Sequence, residues 1–186
     1  MGGHHLVLGE IKDYLTREIL VDTHDERYRQ EVARFLVEHK GYLKEDLKPR
    51  VPIDLKAGGK QARIRLDLIV CIDGQVVMLV KYAPGSLTTR HQVALAASRL
   101  LAPYQVRFSI VTNGKEADTI DNISARVIAE GFDGIYSREA LLDCLAGHEK
   151  ILVADHHREM AARILYAYEV DGRCPCDDTV CEYEQR

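Results

Sequence analysis

The sequence predicts a single α/β domain with a mixed central sheet, and three observations support that prediction. A helical pattern is followed by three strand-like runs, by a second helical pattern and by a fourth strand-like run. Turn residues separate these runs from one another. The 186 residues suffice for one sizeable core and do not require a second domain. We therefore expect an αβββαβ order, with further helices covering the sheet.

The first helix is expected over about residues 25–39. Thr23 and Glu26 form the S/T-x-x-E pattern of a capping box, and apolar residues then recur at helical spacing until Gly41 provides a stop. The remaining predicted elements are strands over residues 47–55, 61–71, 75–82 and 105–112 and helices over residues 87–101, 137–145 and 155–168.

Composition divides the chain into a core with an extension at each end. We expect an N-terminal extension over 1–22, the core over 23–136, C-terminal helices packed on the core over 137–170, and an acidic, cysteine-containing tail over 171–186. The N-terminus lacks the regions of a secretory signal, and no run of about 18 apolar residues occurs. These features predict a cytoplasmic protein that does not contact a membrane.

Charge is distributed unevenly along the chain. The net charge of −4 does not by itself favour nucleic-acid binding. Residues 40–65 nevertheless contain eight lysines and arginines against three acids, whereas the chain after Tyr168 is acidic. Lys60, Arg63 and Arg65 are therefore candidates to contact DNA phosphates. The alternative is that these side chains are ordinary solvated charges at turns and strand edges.

In the second and third strands an apolar face alternates with a face that carries the polar residues, among them Arg65, Asp67 and Lys81. A two-residue turn between the strands would mix polar and apolar faces, so we expect a three-residue connection over 72–74. That register sets Asp67 opposite Leu79 and Arg65 opposite Lys81. Asp67 and Lys81 would then share one face of the sheet.

A carboxylate and a lysine on neighbouring strands, below a helix that carries Glu31, favour metal-assisted phosphodiester cleavage. Asp67 and Glu31 would hold Mg²⁺ or Mn²⁺, and Lys81 would orient the attacking water or stabilise developing charge. Two other interpretations stay open. Glu31 can pair on the helix surface with a neighbouring arginine, and Asp67 can form a structural ion pair with Lys81 or Arg65.

Six segments of the chain carry a family resemblance: residues 29–37, 41–42, 51–53, 65–70, 78–85 and 111–114. Taken in order, they resemble the N-terminal domain of type I restriction-enzyme R subunits, which belongs to the PD-(D/E)xK nuclease superfamily. The resemblance spans roughly residues 24–121 and implies a restriction-endonuclease-like αβββαβ core. It also implies catalytic roles for Glu31, Asp67, Lys81 and Gln92, although Gln92 lies about one position from the expected glutamine.

The sequence departs from that family pattern at residue 79. The pattern requires Glu-x-Lys on the third strand, but this chain has Leu79, Val80 and Lys81. Leucine offers no oxygen to a hard cation, so Mg²⁺ or Mn²⁺ would bind weakly. We therefore expect a stand-alone nuclease-fold domain that binds DNA and has an impaired phosphodiesterase site. The alternatives are an active endonuclease using Glu31, Asp67 and Lys81, and a protein-interaction or oligomerisation module that does not bind nucleic acid.

The tail carries a second candidate site. Cys174, Cys176 and Cys181 could bind zinc if a fourth ligand came from elsewhere in the chain or from a second chain. A reduced tail without metal is the alternative, and the odd number of cysteines, five, argues against a disulfide framework. Besides DNA, the partners considered are a second copy in a homodimer and restriction or repair proteins. Sequence motifs for nucleotide binding or for a serine nucleophile are absent.

Overall fold

The computed structural model describes residues 7–171 and the backbone of residues 181–183. The strands are β1 (Gly9–Lys12), β2 (Ile19–Asp22), β3 (Leu47–Ala57), β4 (Lys60–Ile72), β5 (Gln75–Tyr82), β6 (Phe108–Thr112), β7 (Ala117–Asp121), β8 (Arg126–Glu130) and β9 (Cys181–Tyr183). The helices are α1 (His24–Lys40), α2 (His91–Ser98), α3 (Arg138–Leu145) and α4 (Asp155–Leu165). None of the helices among the described residues is both long and apolar enough to cross a bilayer.

The order α1, β3, β4, β5, α2, β6 confirms the predicted αβββαβ core. The main sheet runs β3-β4-β5-β6-β7-β8, and it is mixed because β5 and β6 are parallel whereas the other neighbours along this path are antiparallel. β9 pairs with the first part of β4. β1 and β2 form a separate hairpin within the predicted N-terminal extension. This hairpin and the pair β7 and β8 were not predicted, because their runs are short and weakly alternating.

α1 has the ends that its sequence predicts. The Thr23 hydroxyl accepts a hydrogen bond from the Glu26 backbone amide at 3.1 Å, which satisfies one of the free amides of the first turn. Gly41 ends the helix in the left-handed conformation at φ +73°, which glycine adopts without steric cost. The Tyr42 amide then bonds back to the Leu36 carbonyl. Local chemistry therefore defines both ends of this helix.

Two predicted helices have different bounds in the structure. The helix predicted over 87–101 begins with a 3-10 turn (Thr88–Arg90) and is α-helical only over His91–Ser98. It ends where the Ser98 hydroxyl donates to the Leu95 carbonyl, an interaction with its own helix backbone. α4 ends at Leu165, earlier than predicted, and the chain continues as a π-helical turn (Tyr166–Asp171). The strand predicted over 105–112 begins only at Phe108.

Apolar side chains cover both faces of the sheet in two main clusters. The first lies below α1 and α3 and contains Leu36, Leu68 and Leu141. The second lies below α2 and α4 and contains Leu79 and Leu165. Burying these side chains provides most of the driving force for folding, at about 25 cal/mol per Å² of apolar surface. The core therefore holds the sheet between two helical layers.

The even-numbered apolar positions of β4 divide between the two clusters. Ile64 and Leu66 belong to the second cluster, whereas Leu68 and Val70 belong to the first. Asp67 lies at the point where the strand passes from one cluster to the other, and only 8% of its side chain is exposed. A carboxylate at this position therefore requires donors from within the fold.

The predicted register between β4 and β5 was wrong by two residues, and the predicted faces hold only in part: Leu68 and Val80 share the first cluster, but Leu66 packs in the second cluster with Leu79. Leu68 pairs with Val80, and Leu79 lies opposite Ile69 instead of Asp67. The turn is the two-residue one over 73–74, and both of its residues have positive φ, as in favoured hairpin turns. A register shift between Val70 and Cys71 then restores the match of like faces.

Candidate active site

Asp67 lies at the centre of the candidate site, and both of its oxygens have hydrogen-bond partners. The Arg29 Nε atom of α1 donates to Oδ1 at 2.7 Å. The backbone amide of Tyr82 donates to Oδ2 at 3.1 Å, and the Lys81 Nζ atom lies 3.5 Å from the same oxygen. Only 8% of the Asp67 side chain is exposed. The carboxylate is therefore buried and surrounded by donors, as a buried charge requires.

Lys81 connects Asp67 to a second carboxylate from a distant part of the chain. Its Nζ atom donates to Glu169 Oε2 at 2.9 Å, and 9% of its side chain is exposed. Glu169 lies in the π-helical turn after α4, 88 residues further along the chain. The Glu169 and Asp67 oxygens are at most 6.4 Å apart, since the two distances to Nζ sum to that value. One ammonium thus contacts two carboxylates, and Arg29 supplies a second positive charge to Asp67.

The charges of this group determine its protonation states. Burial alone would raise the pKa of Asp67, but Lys81 and Arg29, together with the hydrogen bonds from Arg29 and Tyr82, hold that pKa below its usual value. Burial would lower the pKa of Lys81, but Asp67 and Glu169 outweigh it and raise that pKa. Both groups are therefore ionised at neutral pH, as an ion pair.

Leu79, where the family pattern has the second acid, is fully buried at 0% exposure. Its side chain packs in the second cluster with Ile69 from β4 and Val93 from α2. No oxygen reaches Asp67 from this position. β4 therefore contributes one carboxylate to the site, and β5 contributes one lysine and no acid.

Further charged residues extend the site from α1 towards the N-terminal hairpin, and sequence reasoning missed them. Arg29 lies 3.6 Å from Glu26, and Arg50 lies 3.8 Å from Glu26 and 2.7 Å from Asp13. Positive and negative groups thus alternate from Asp67 to Asp13, whose side chain is 1% exposed. Arg29 lies inside the segment that carried the family resemblance. The sequence indicated Glu31, two positions further on, because apolar spacing does not show which polar side chain of the helix lies over Asp67.

Glu31 and Gln92, the other two predicted catalytic residues, are not brought to Asp67. Glu31 is exposed and lines a groove with Gly114 and Phe132. It lies about 160° around the helix from Arg29, at about 100° per residue. Gln92 is exposed in the first turn of α2. Within the described part of the chain, the contacts of Asp67 include neither residue, so their catalytic roles stay predictions.

The three predicted DNA-binding residues all lie on the first part of β4, and their side chains are exposed. Arg63 pairs with Asp54 on β3, with its Nε and Nη2 atoms donating at 2.7 and 3.0 Å. Lys60 lies 3.7 Å from Asp171. Arg65 sits opposite Pro52 in the register of β3 and β4. Arg63 and Arg65 project from one face of β4, whereas Lys60 lies 5.4 Å from the ring centroid of Tyr166 on the side of the second cluster.

The two predicted metal sites lie in different parts of the chain. Within residues 7–171, no group of three or more histidine, cysteine, aspartate or glutamate side chains is arranged to hold a metal ion. Cys174 and Cys176 lie outside the described residues, and only the backbone of Cys181 is described. Zinc binding by the tail therefore stays a prediction, and so does divalent binding by Asp67 with Glu31.

Comparison with known protein families connects this geometry to a group of proteins. The sequence profile described as "Type I restriction enzyme R protein N terminus" matches residues 24–135, more than half of the chain. The chain belongs to this family. The R protein N-terminus match confirms the resemblance read from the sequence. Comparisons with curated proteins and with solved structures found no match.

The match to the R protein N-terminus family includes part of the candidate site and leaves part of it outside. Arg29, Asp67 and Lys81 lie within the matched residues, which run from α1 to just beyond β8. Asp13 precedes them and Glu169 follows them. The family region therefore supplies the central pair, and flanking segments of this chain supply the acids at either end.

Proposed function

We propose that this protein is a nuclease-fold domain that binds the DNA backbone and has an impaired metal-dependent phosphodiesterase site. One observation carries the proposal: the Asp67 carboxylate is engaged by Arg29, Lys81 and the Tyr82 amide, while Leu79 is buried among apolar side chains. The family description supports a restriction-related role, with DNA and restriction-complex proteins as partners. The PD-(D/E)xK superfamily assignment is part of this proposal.

The contacts of Asp67 explain why a divalent cation would bind weakly. Mg²⁺ takes oxygen ligands in nearly octahedral order and usually needs at least one or two carboxylates free to coordinate it. At Asp67 the cation would have to displace Lys81 or Arg29, and it would gain no ligand from Leu79. Two fixed positive charges already neutralise the carboxylate. The loss of one acid has thus left an ion pair where the family pattern has a metal site.

The exposed side chains of Lys60, Arg63 and Arg65 support contact with DNA. The acids that pair with Lys60 and Arg63 are largely exposed, and such surface pairs contribute about 0 to 1 kcal/mol. Phosphates can therefore replace them at small cost. Contacts of this kind read charge and not bases, so binding should be salt-dependent and largely insensitive to sequence.

Cleavage is tested by incubating the protein with supercoiled plasmid and Mn²⁺ beside an Asp67→Ala variant. We expect no nicking above that of the variant, because Arg29, Lys81 and the Tyr82 amide already engage the Asp67 carboxylate and Leu79 offers no oxygen ligand. Nicking that disappears in Asp67→Ala would overturn the impaired-site part of the proposal and favour the active endonuclease.

DNA binding is tested by fluorescence anisotropy on a short duplex over a range of salt concentrations. Arg65→Gln should weaken binding and reduce the slope of log K against log salt by about 0.9, the value for one lost phosphate contact. Arg126→Gln is the matched control, because Arg126 is an exposed strand arginine on β8, at the end of the sheet path opposite β3. Equal effects of the two variants, or no binding by wild type, would refute the proposed surface.

A further inference from the structure

The segment after α4 places acids beside two lysines, the buried Lys81 and the exposed Lys60, and the proposed function assigns DNA contact to Lys60. Glu169 accepts from Lys81 at 2.9 Å, and Asp171 lies 3.7 Å from Lys60. The Lys60 Nζ atom also lies 5.4 Å from the ring centroid of Tyr166, which packs in the second cluster. β9 pairs its backbone with residues 61–63 of β4. We call residues 166–171 together with β9 the C-terminal segment. Its contacts with Lys81 and Lys60 therefore lie beside the second cluster.

The structure explains how Glu169 is held over Lys81. Tyr166 and Val170, in the same π-helical turn, are buried in the second cluster with Leu165 of α4. Wide turns of this kind are rare and frequently occur at functional sites. The Glu169 side chain is 18% exposed, so it lies at the boundary between the buried lysine and solvent. The backbone is thus anchored, while the carboxylate remains accessible.

We propose that the surface under the C-terminal segment is the phosphate-binding surface, and that Glu169 and Asp171 occupy the positions of two backbone phosphates until a nucleic acid displaces them. This inference rests on the proposed DNA binding. A carboxylate and a phosphodiester both offer anionic oxygens to a lysine ammonium at hydrogen-bond distance. The occupant that fits Lys81 and Lys60 together is therefore a polyanion with regularly spaced charges.

The exchange requires little rearrangement. Lys81 keeps Asp67 as a partner when Glu169 leaves, so the buried ammonium is never without a counter-charge. Rotation of the Glu169 side chain suffices, and Tyr166 and Val170 can stay in the core. The chain's own acids compete with phosphate, and wild-type affinity is lower than the cations alone would provide.

The test compares Glu169→Gln with Glu159→Gln on the full chain. Both variants remove one negative charge with the same near-isosteric change, but Glu159 lies on the exposed face of α4 and pairs with Arg163. Glu169→Gln should tighten duplex binding at least about fivefold, the lower end of common coupling effects. The salt slope should change little, because Lys81 contacts a phosphate in both complexes once Glu169 is displaced. Glu159→Gln should leave the affinity unchanged.

The outcomes separate this inference from the proposed function. If wild type binds DNA through Arg65 and the two glutamate variants behave alike, the inference is overturned and the proposed function stands. Weaker binding by Glu169→Gln in a variant that melts like wild type would also overturn it, because Glu169 would then assist the ligand. If none of the proteins binds DNA, both the proposed function and this inference are refuted.

Discussion

Replacing Asp67 by asparagine probes the buried charges on which the candidate site depends. The substitution keeps the shape of the side chain but places a neutral amide between the Arg29 guanidinium, the Lys81 ammonium and the Tyr82 amide. Breaking a buried pair by removing one partner costs about 3–5 kcal/mol. Lys81 keeps Glu169, so we expect the lower end, about 3 kcal/mol. For a domain of this size that corresponds to a fall in Tm of about 6–12 °C.

Asp54→Asn provides a matched control for the Asp67 measurement. Asp54 is also a strand aspartate paired with an arginine, but its side chain is 47% exposed and that of Arg63 is 56% exposed. An exposed pair contributes at most about 1 kcal/mol, so the control should lose little stability. Thermal unfolding and urea titration of both variants measure the difference. If the two substitutions cost the same, the Asp67 group is not a buried ionised network, and our account of the site is wrong.

Three further predictions follow from the same coordinates. The pKa of Asp67 is depressed in the folded state, so its stabilising effect is present above the unfolded-state pKa of about 4 and is lost as the pH falls through the lower folded-state pKa. In urea titrations between about pH 6 and pH 3, wild type should therefore lose more stability than Asp67→Asn, and parallel curves would contradict this. Gly114→Ala should destabilise more than Gly41→Ala, since both have positive φ but only at Gly114 would a Cβ overlap the Tyr28 ring; equal Tm values would refute the clash. Leu79→Glu should lower the free energy of unfolding by at least about 3 kcal/mol, whereas Leu79→Met should lower it by under about 1.5 kcal/mol, because Leu79 packs in the second cluster. A Tm that Mn²⁺ raises in Leu79→Glu alone would show that this position faces the metal site.

The sequence by itself determined the elements that depend on neighbouring residues. α1 begins at Thr23 and ends at Gly41 because the cap hydroxyl and the left-handed glycine act within a few residues of the helix. Alternation along β4 and β5 predicted that Asp67 and Lys81 lie close together, and their charged atoms are 3.5 Å apart. The order of these local signals also sufficed to indicate the family.

Only the tertiary structure decided which groups surround that pair. The register depended on a shift between Val70 and Cys71 that reconciles a two-residue turn with the burial of both faces. Arg29 faces Asp67 because of how α1 packs on the sheet, and Glu169 reaches Lys81 across 88 residues of sequence. No periodicity encodes such contacts, since they arise when buried charges require counter-charges from whatever elements the fold brings close.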